Sequence, residues 1–262
     1  MGLAGSSENL FAETPDLGWE TPLGRYDLVG GHRLWVAPEH AGRAAVPDGQ
    51  GLVVEEDGPG VRLRGPVEPA TGLERSITVR LDPLTPTMEL RHEIRNAGDV
   101  VVELAPWAIS QVPLSGAVLL PQPIASAVPD VRPNRTVVLW PSTSWEDERL
   151  ALSDGLIAVR GVAGPPLKVG TFSAGGCVGY LCGDVLVVRH FQPAPGFAHA
   201  DLGCNVEAYG CPSYQELEIL GPVEQLEPGR SAVLTEHWEL ARVGGGGVEP
   251  LEAGMARMRG SI

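Results

Sequence analysis

Seven segments of this 262-residue chain alternate apolar and polar residues with a period of two: 75–81, 88–96, 100–112, 136–140, 184–191, 214–220 and 231–240. That period places successive side chains on opposite sides of an extended strand. Turn signals such as "NAGD" (96–99), "PNR" (133–135), "GPP" (164–166) and "EPGR" (227–230) fall between the segments. Helical periodicity is almost absent, and proline interrupts most windows in which a helix would start. The pattern predicts a twisted antiparallel all-β protein, either a sandwich or a barrel. No repeat or linker appears before residue 243, so residues 1–243 read as one domain. "GGGG" (244–247) then opens a tail, residues 244–262, expected to be flexible with at most one helical turn at 250–258.

Composition narrows the function. With 43% hydrophobic residues the chain can bury a sizeable core. A formal net charge of −14 argues against nucleic acid and anionic membrane as partners, because neither would be attracted. No apolar run approaches the ~20 residues a bilayer span needs. The opening "MGLAGSSENLFAE" has neither a basic nor an apolar leader region, so the expected location is cytoplasmic. Cys177, Cys182, Cys204 and Cys211 are spaced C-x4-C and C-x6-C, which does not match a zinc module. Buried reduced thiols, and no metal, are expected.

Alternation also sorts candidate residues by face. In 88–95, Met88, Leu90, His92 and Ile94 share an apolar side, which makes His92 either a core histidine bonded to a carbonyl or a cleft residue. In "YQELEIL" (214–220), Tyr214, Glu216 and Glu218 share the side opposite Leu217 and Ile219. That side is either solvated or, in a concave site, a place where neighbouring carboxylates raise one another's pKa and prepare a base. In "GGHRLWVAPE" (30–39), Arg33 and Trp35 face one way and His32 and Leu34 the other. A guanidinium beside an indole suits sugar recognition, or forms a cation–π pair closing an edge. Glu39 follows Pro38 and can clamp Arg33 from the loop. Trp107 and Gln111 share a face in "VVVELAPWAISQV", and Lys168 in "PLKVGTF" is either a cleft cation or a snorkelling surface lysine.

Together "GGHRLWVAPE", "HEIRNAGDVVVELAPWAISQV", "PLKVGTF" and "DLGCNVEAYGCPSYQELEILGPVEQLEPGRSAVLTEHWEL" resemble the galactose mutarotase-like superfamily, in particular a bacterial aldose 1-epimerase-like branch, over about residues 8–241. The resemblance implies a β-supersandwich of large antiparallel sheets with a concave carbohydrate-binding cleft. It implies acid/base interconversion at the anomeric carbon of a sugar or sugar derivative, without a cofactor. The alternative is a non-catalytic carbohydrate-binding protein using the same cleft. By position, Glu218 falls where the family's base lies, with Glu216 beside it. Arg33 falls near the early sugar-binding arginine, and Trp107 stands where the family carries a histidine. The ring-protonating histidine has no fixed counterpart; His92, His190 and His199 are possible substitutes, and His92 joins Glu218 and Glu216 as the catalytic set. The substrate-binding set is His32, Arg33, Trp35, Glu39, Trp107, Gln111, Lys168 and Tyr214. Exposed edge strands in an open sandwich leave monomer and homodimer both open.

Overall fold

The computed structural model describes residues 1–3, 5, 8–123 and 133–243. The tail read from the sequence, 244–262, lies outside the described residues. Every strand pairing among the described residues is antiparallel. Two large sheets and one hairpin account for nearly all of the regular structure.

The larger sheet has ten strands. From one edge they run Leu150–Ser153, Leu156–Arg160, Gly116–Pro121, Cys177–Cys182 and Val185–Phe191. They continue through Ser231–Arg242, Thr87–Asn96, Leu73–Leu81, Gly60–Arg64 and Val53–Asp57. The smaller sheet has seven strands: Val138–Leu139, Leu167–Thr171, Val206–Gly210, Gln215–Leu220 and Val102–Val112 in order. His32–Ala37 pairs along the free edge of Val102–Val112, and Glu224–Leu226 pairs with the beginning of that same strand. Glu13–Thr21 and Gly24–Gly30 form the separate hairpin. The sequence segment 136–140 is a strand only at Val138–Leu139, because Trp140 already turns into the following loop.

The sheets pack face to face through the apolar half of each alternation. Val118, Leu120, Val178 and Val187 of the ten-stranded sheet meet Val169, Ala208, Leu217 and Ile219 of the seven-stranded sheet in one core cluster. Each fully buried aliphatic side chain of this kind contributes roughly 1.5–3 kcal/mol of transfer free energy before entropy is counted. The four cysteines are free, and all are buried.

A polar network also lies between the layers. Arg189 donates through Nε and Nη2 to Glu236, at 2.7 and 2.8 Å. The same guanidinium donates to the Leu217 and Ala108 carbonyls of the opposite sheet and to Ser110 Oγ. Trp238 Nε1 donates to Glu236 at 2.7 Å. One fully buried ion pair therefore ties the two sheets together, with its charges matched and its hydrogen bonds made.

Candidate functional site

Alternation and register assemble a polar row on the outer side of the seven-stranded sheet. Arg33 and Trp35 come from the edge strand, opposite Ile109 and Trp107. Glu216 lies opposite Gln111, and Glu218 opposite Ile109. On its other flank the same strand sets Glu207 against Glu218 and Tyr209 against Glu216. Lys168 completes the row opposite Tyr209. Arg33, Trp35, Trp107, Gln111, Lys168, Glu216 and Glu218 are thus brought to one side of one sheet. All but the half-buried Arg33 are buried.

Two ion clusters organise this face. Arg33 donates from Nη2 to Glu216 Oε1 at 2.5 Å and from Nη1 to Gln111 Oε1 at 3.0 Å. Its guanidinium carbon lies 4.7 Å from the centroid of Trp35, whose Nε1 donates to Tyr26 Oη at 3.2 Å. In the second cluster, Glu218 Oε2 accepts from Trp107 Nε1 at 2.7 Å and from Lys168 Nζ at 3.0 Å. Lys168 Nζ is also 2.6 Å from Glu207 Oε2. The ammonium sits over the rings of Trp107 and Trp140, 4.5 and 4.8 Å from their centroids.

The charges do not balance within this row. Three carboxyl groups, Glu207, Glu216 and Glu218, face two cations, Arg33 and Lys168. Burial of an uncompensated charge costs several kcal/mol, which favours the protonated form of one carboxyl. Glu207 is the one pushed well above the carboxylate range, by burial and by the Glu218 charge, against the opposing pull of Lys168. Burial also raises Glu216, against the pull of Arg33. Burial alone would lower Lys168, but Glu218 and Glu207 outweigh it and hold the ammonium protonated above its ordinary range. Burial likewise pushes Tyr209 up to about 12, and burial together with Glu216 raises Tyr214.

Beside the edge strand lies a cavity of about 300 Å³, lined among others by Tyr26, Arg33, Asp48, Glu68, Arg75 and Gln111. Arg75 pairs with Glu68 at 2.8 Å and donates to the Leu34 and Arg43 carbonyls, which fixes the far wall. Gln111 is fully buried; its carbonyl is held by Arg33, while its Nε2 has no hydrogen-bond partner among the described residues. Arg33 Nε and Glu218 Oε1 are likewise buried without a partner. The volume falls at the small end of the range for small-molecule sites, and the walls combine apolar residues such as Leu28, Leu34 and Ile77 with a few polar groups.

Other sequence candidates lie elsewhere. His92 and His32 sit on the inner side of the layers, not with Glu218, because alternation puts them on the faces that pack together. Their Nε2 atoms are 2.7 Å apart, His32 Nδ1 is 2.7 Å from Ser110 Oγ, and His92 Nδ1 is 3.1 Å from the Leu234 carbonyl. Burial, more than any charge, lowers the pKa of both. His32, His92 and Glu236 offer ligand atoms within 4.8 Å of one another. Both Glu236 oxygens are already held by Arg189, whose positive charge opposes a cation there.

His190 belongs to the ten-stranded sheet opposite His237, and His199 is on a loop beside Phe172. Glu39 is exposed, and the ion pair of Arg33 is made with Glu216. Tyr214 is half-buried against Tyr209. Glu207, Asp48 and Arg75 were not singled out by the sequence reading. For Glu207 a signal existed, since "VEAYG" (206–210) alternates like its neighbours.

No protein-family model matches the chain, and no curated protein matches it in sequence. Solved structures do match. A candidate mutarotase (YeaD) from Salmonella typhimurium aligns with TM-score 0.53 and 13% identity, over 91% of this chain and 82% of that one. A TPR-domain containing protein from Parabacteroides distasonis aligns with TM-score 0.57 and 13% identity, over 89% of this chain but 41% of that one. A galactose mutarotase-like protein from Lactobacillus casei aligns with TM-score 0.48 and 10% identity, over 88% and 84%. Identities this low speak to the fold alone. No helix among the described residues is long and apolar enough to cross a membrane. In its paired antiparallel sheets and its match to solved structures, the chain has the galactose mutarotase-like fold.

Proposed function

We propose that this protein binds a carbohydrate in the cavity beside Arg33 and Gln111, where the edge strand His32–Ala37 faces Leu63, Arg75 and Ile77 of the ten-stranded sheet. One observation carries the reading: Gln111 lines that cavity, and its buried amide nitrogen has no hydrogen-bond partner among the described residues. An unmade hydrogen bond from a buried donor costs about 1–3 kcal/mol, and a ligand acceptor recovers it. A sugar suits the walls because each hydroxyl both donates and accepts. Arg33 and Gln111 supply donors, Asp48 and Glu68 supply acceptors, and Tyr26 supplies both. The match to a mutarotase-type fold supports the ligand class by analogy.

Acid/base interconversion at the anomeric carbon is the second reading, favoured by the Glu207–Glu218 pair. In that reading Glu218 takes the proton of the anomeric hydroxyl as the C1–ring-oxygen bond breaks, and Glu207 gives its proton to the ring oxygen. Reclosure on the other face returns both protons. Binding ranks first because Lys168 engages both carboxyl groups and both are fully buried. Saturation-transfer NMR with neutral aldoses, uronates and sugar phosphates tests the first reading, and inversion-transfer between anomer signals tests the second. Sugar signals unaffected by the protein across the whole panel reject both.

A further inference from the structure

His32, Leu63 and Ile77 line two openings at once: the cavity beside Arg33 and a larger cleft of about 1160 Å³. The two therefore adjoin along these three side chains. The strand Leu73–Leu81 forms their common floor, and its alternate residues Arg75, Ile77, Val79 and Leu81 share one face. Arg75 lines the first cavity, Ile77 lines both, and Val79 and Leu81 line the second. At about 3.3 Å per residue, the floor from Arg75 to Leu81 is roughly 20 Å long.

The chemistry changes along that floor. Around Arg75 stand Arg33, Asp48, Glu68 and Gln111. Beyond Ile77 the neighbouring strand sets Leu90 opposite Val79 and Met88 opposite Leu81, and Trp238 lies opposite Met88 in turn. The charged residues of the cleft are already engaged: Asp82 accepts from the Leu84 and Thr85 amides, and Arg242 pairs with Asp184. At the outer end Leu81 and Leu84 are 69% and 91% exposed. Apolar surface held against water is a standing cost that an apolar group relieves.

We propose that the ligand is a glycoside with an extended apolar aglycone. The sugar fills the polar cavity, and the aglycone runs past His32 and Ile77 into the cleft. This inference rests on the carbohydrate-binding reading above and deepens it. Neither half of the ligand answers both openings: a free sugar leaves the cleft wet, and a bare alkyl chain leaves the Gln111 amide without a partner. A molecule with both parts, joined at the length of this floor, meets each need at once.

The test is an NMR titration with methyl and octyl β-D-glucopyranoside and β-D-galactopyranoside, below the micelle concentration. Octyl tri(ethylene glycol) serves as an amphiphile without a sugar. Each buried methylene favours binding about fourfold before chain ordering is counted, so the octyl glycoside should bind about 100-fold tighter than its methyl counterpart. In protein labelled at the methionine methyl groups, the octyl protons should show cross-peaks to Met88, which lines the cleft and not the polar cavity. Val79→Asp should lower the octyl-to-methyl affinity ratio about tenfold; the wild-type ratio is informative without it. Methyl and octyl glycosides of equal affinity would overturn the inference and leave the carbohydrate reading standing. Octyl tri(ethylene glycol) binding as tightly as the octyl glycosides would overturn it too, because the sugar would then contribute nothing. Silence from every glycoside, with free aldoses still bound, would reject the aglycone alone; silence from the aldoses as well would reject both readings.

Discussion

Glu207 and Glu218 lie directly opposite each other on adjacent strands, and the ammonium of Lys168 reaches both, at 2.6 and 3.0 Å. One cation between two buried carboxyl groups leaves one of them without a counter-charge, and burial raises the pKa of Glu207 well above the carboxylate range. This relationship makes the interior of the polar face sensitive to pH and to the removal of any one member.

Lys168→Met should cost about 3–5 kcal/mol at pH 8, because it leaves two buried carboxyl groups with no counter-charge. Glu207→Gln should behave oppositely. The folded-state pKa of Glu207 is raised, so the stability it confers is present at low pH and is lost as pH rises past about 4.3 toward that raised value. Urea unfolding at pH 5 and pH 8 should show a smaller loss of stability with rising pH in the variant than in the wild type. Parallel slopes would contradict the raised pKa of Glu207.

Acid should weaken the interlayer histidines. His32 and His92 are held neutral, with folded pKa values below the ordinary value of about 6.5. The unfolded chain therefore binds more protons, and stability falls as pH drops below about 6.5, by up to ~1.4 kcal/mol per unit for each histidine. Glu236, whose folded pKa is lowered, gives up its contribution only at more acidic pH. His92→Gln should flatten the slope between pH 5.5 and 7, and an unchanged slope counts against the pair.

Arg189→Met should be among the most damaging single changes, at about 3–5 kcal/mol, because it strands Glu236 in the core. Arg189→Met combined with Glu236→Leu should recover much of that loss. The non-additivity, read from denaturant midpoints, measures the coupling.

Gln111→Leu removes the unpartnered donor while keeping side-chain bulk. Sugar affinity should fall about tenfold, near 1.4 kcal/mol, in a protein that still unfolds cooperatively. Undiminished affinity would place the ligand elsewhere. Glu218→Gln separates the two functional readings: anomer exchange should vanish while affinity stays within a few-fold if the pair is catalytic.

Period-two patterning determined the all-β class, the positions of seven of the nineteen described strands, and which residues share a side, Arg33 with Trp35 and Glu216 with Glu218. It also put His92 on the same strand face as Leu90 and Ile94, and the structure buries that face between the layers, where His92 meets His32 and the Leu234 carbonyl. What it could not decide is which side of a strand is covered, since the rule fixes only that neighbours point oppositely. "YQELEIL" looks solvated on its glutamate side, yet that side is buried, because strands and loops distant in sequence pack over it. The partners of each charge were equally out of reach. Arg33 meets Glu216 across 183 positions, and Lys168 meets Glu218 across 50. Such contacts depend on cross-strand register, which is set by how whole sheets align and not by any local run of residues.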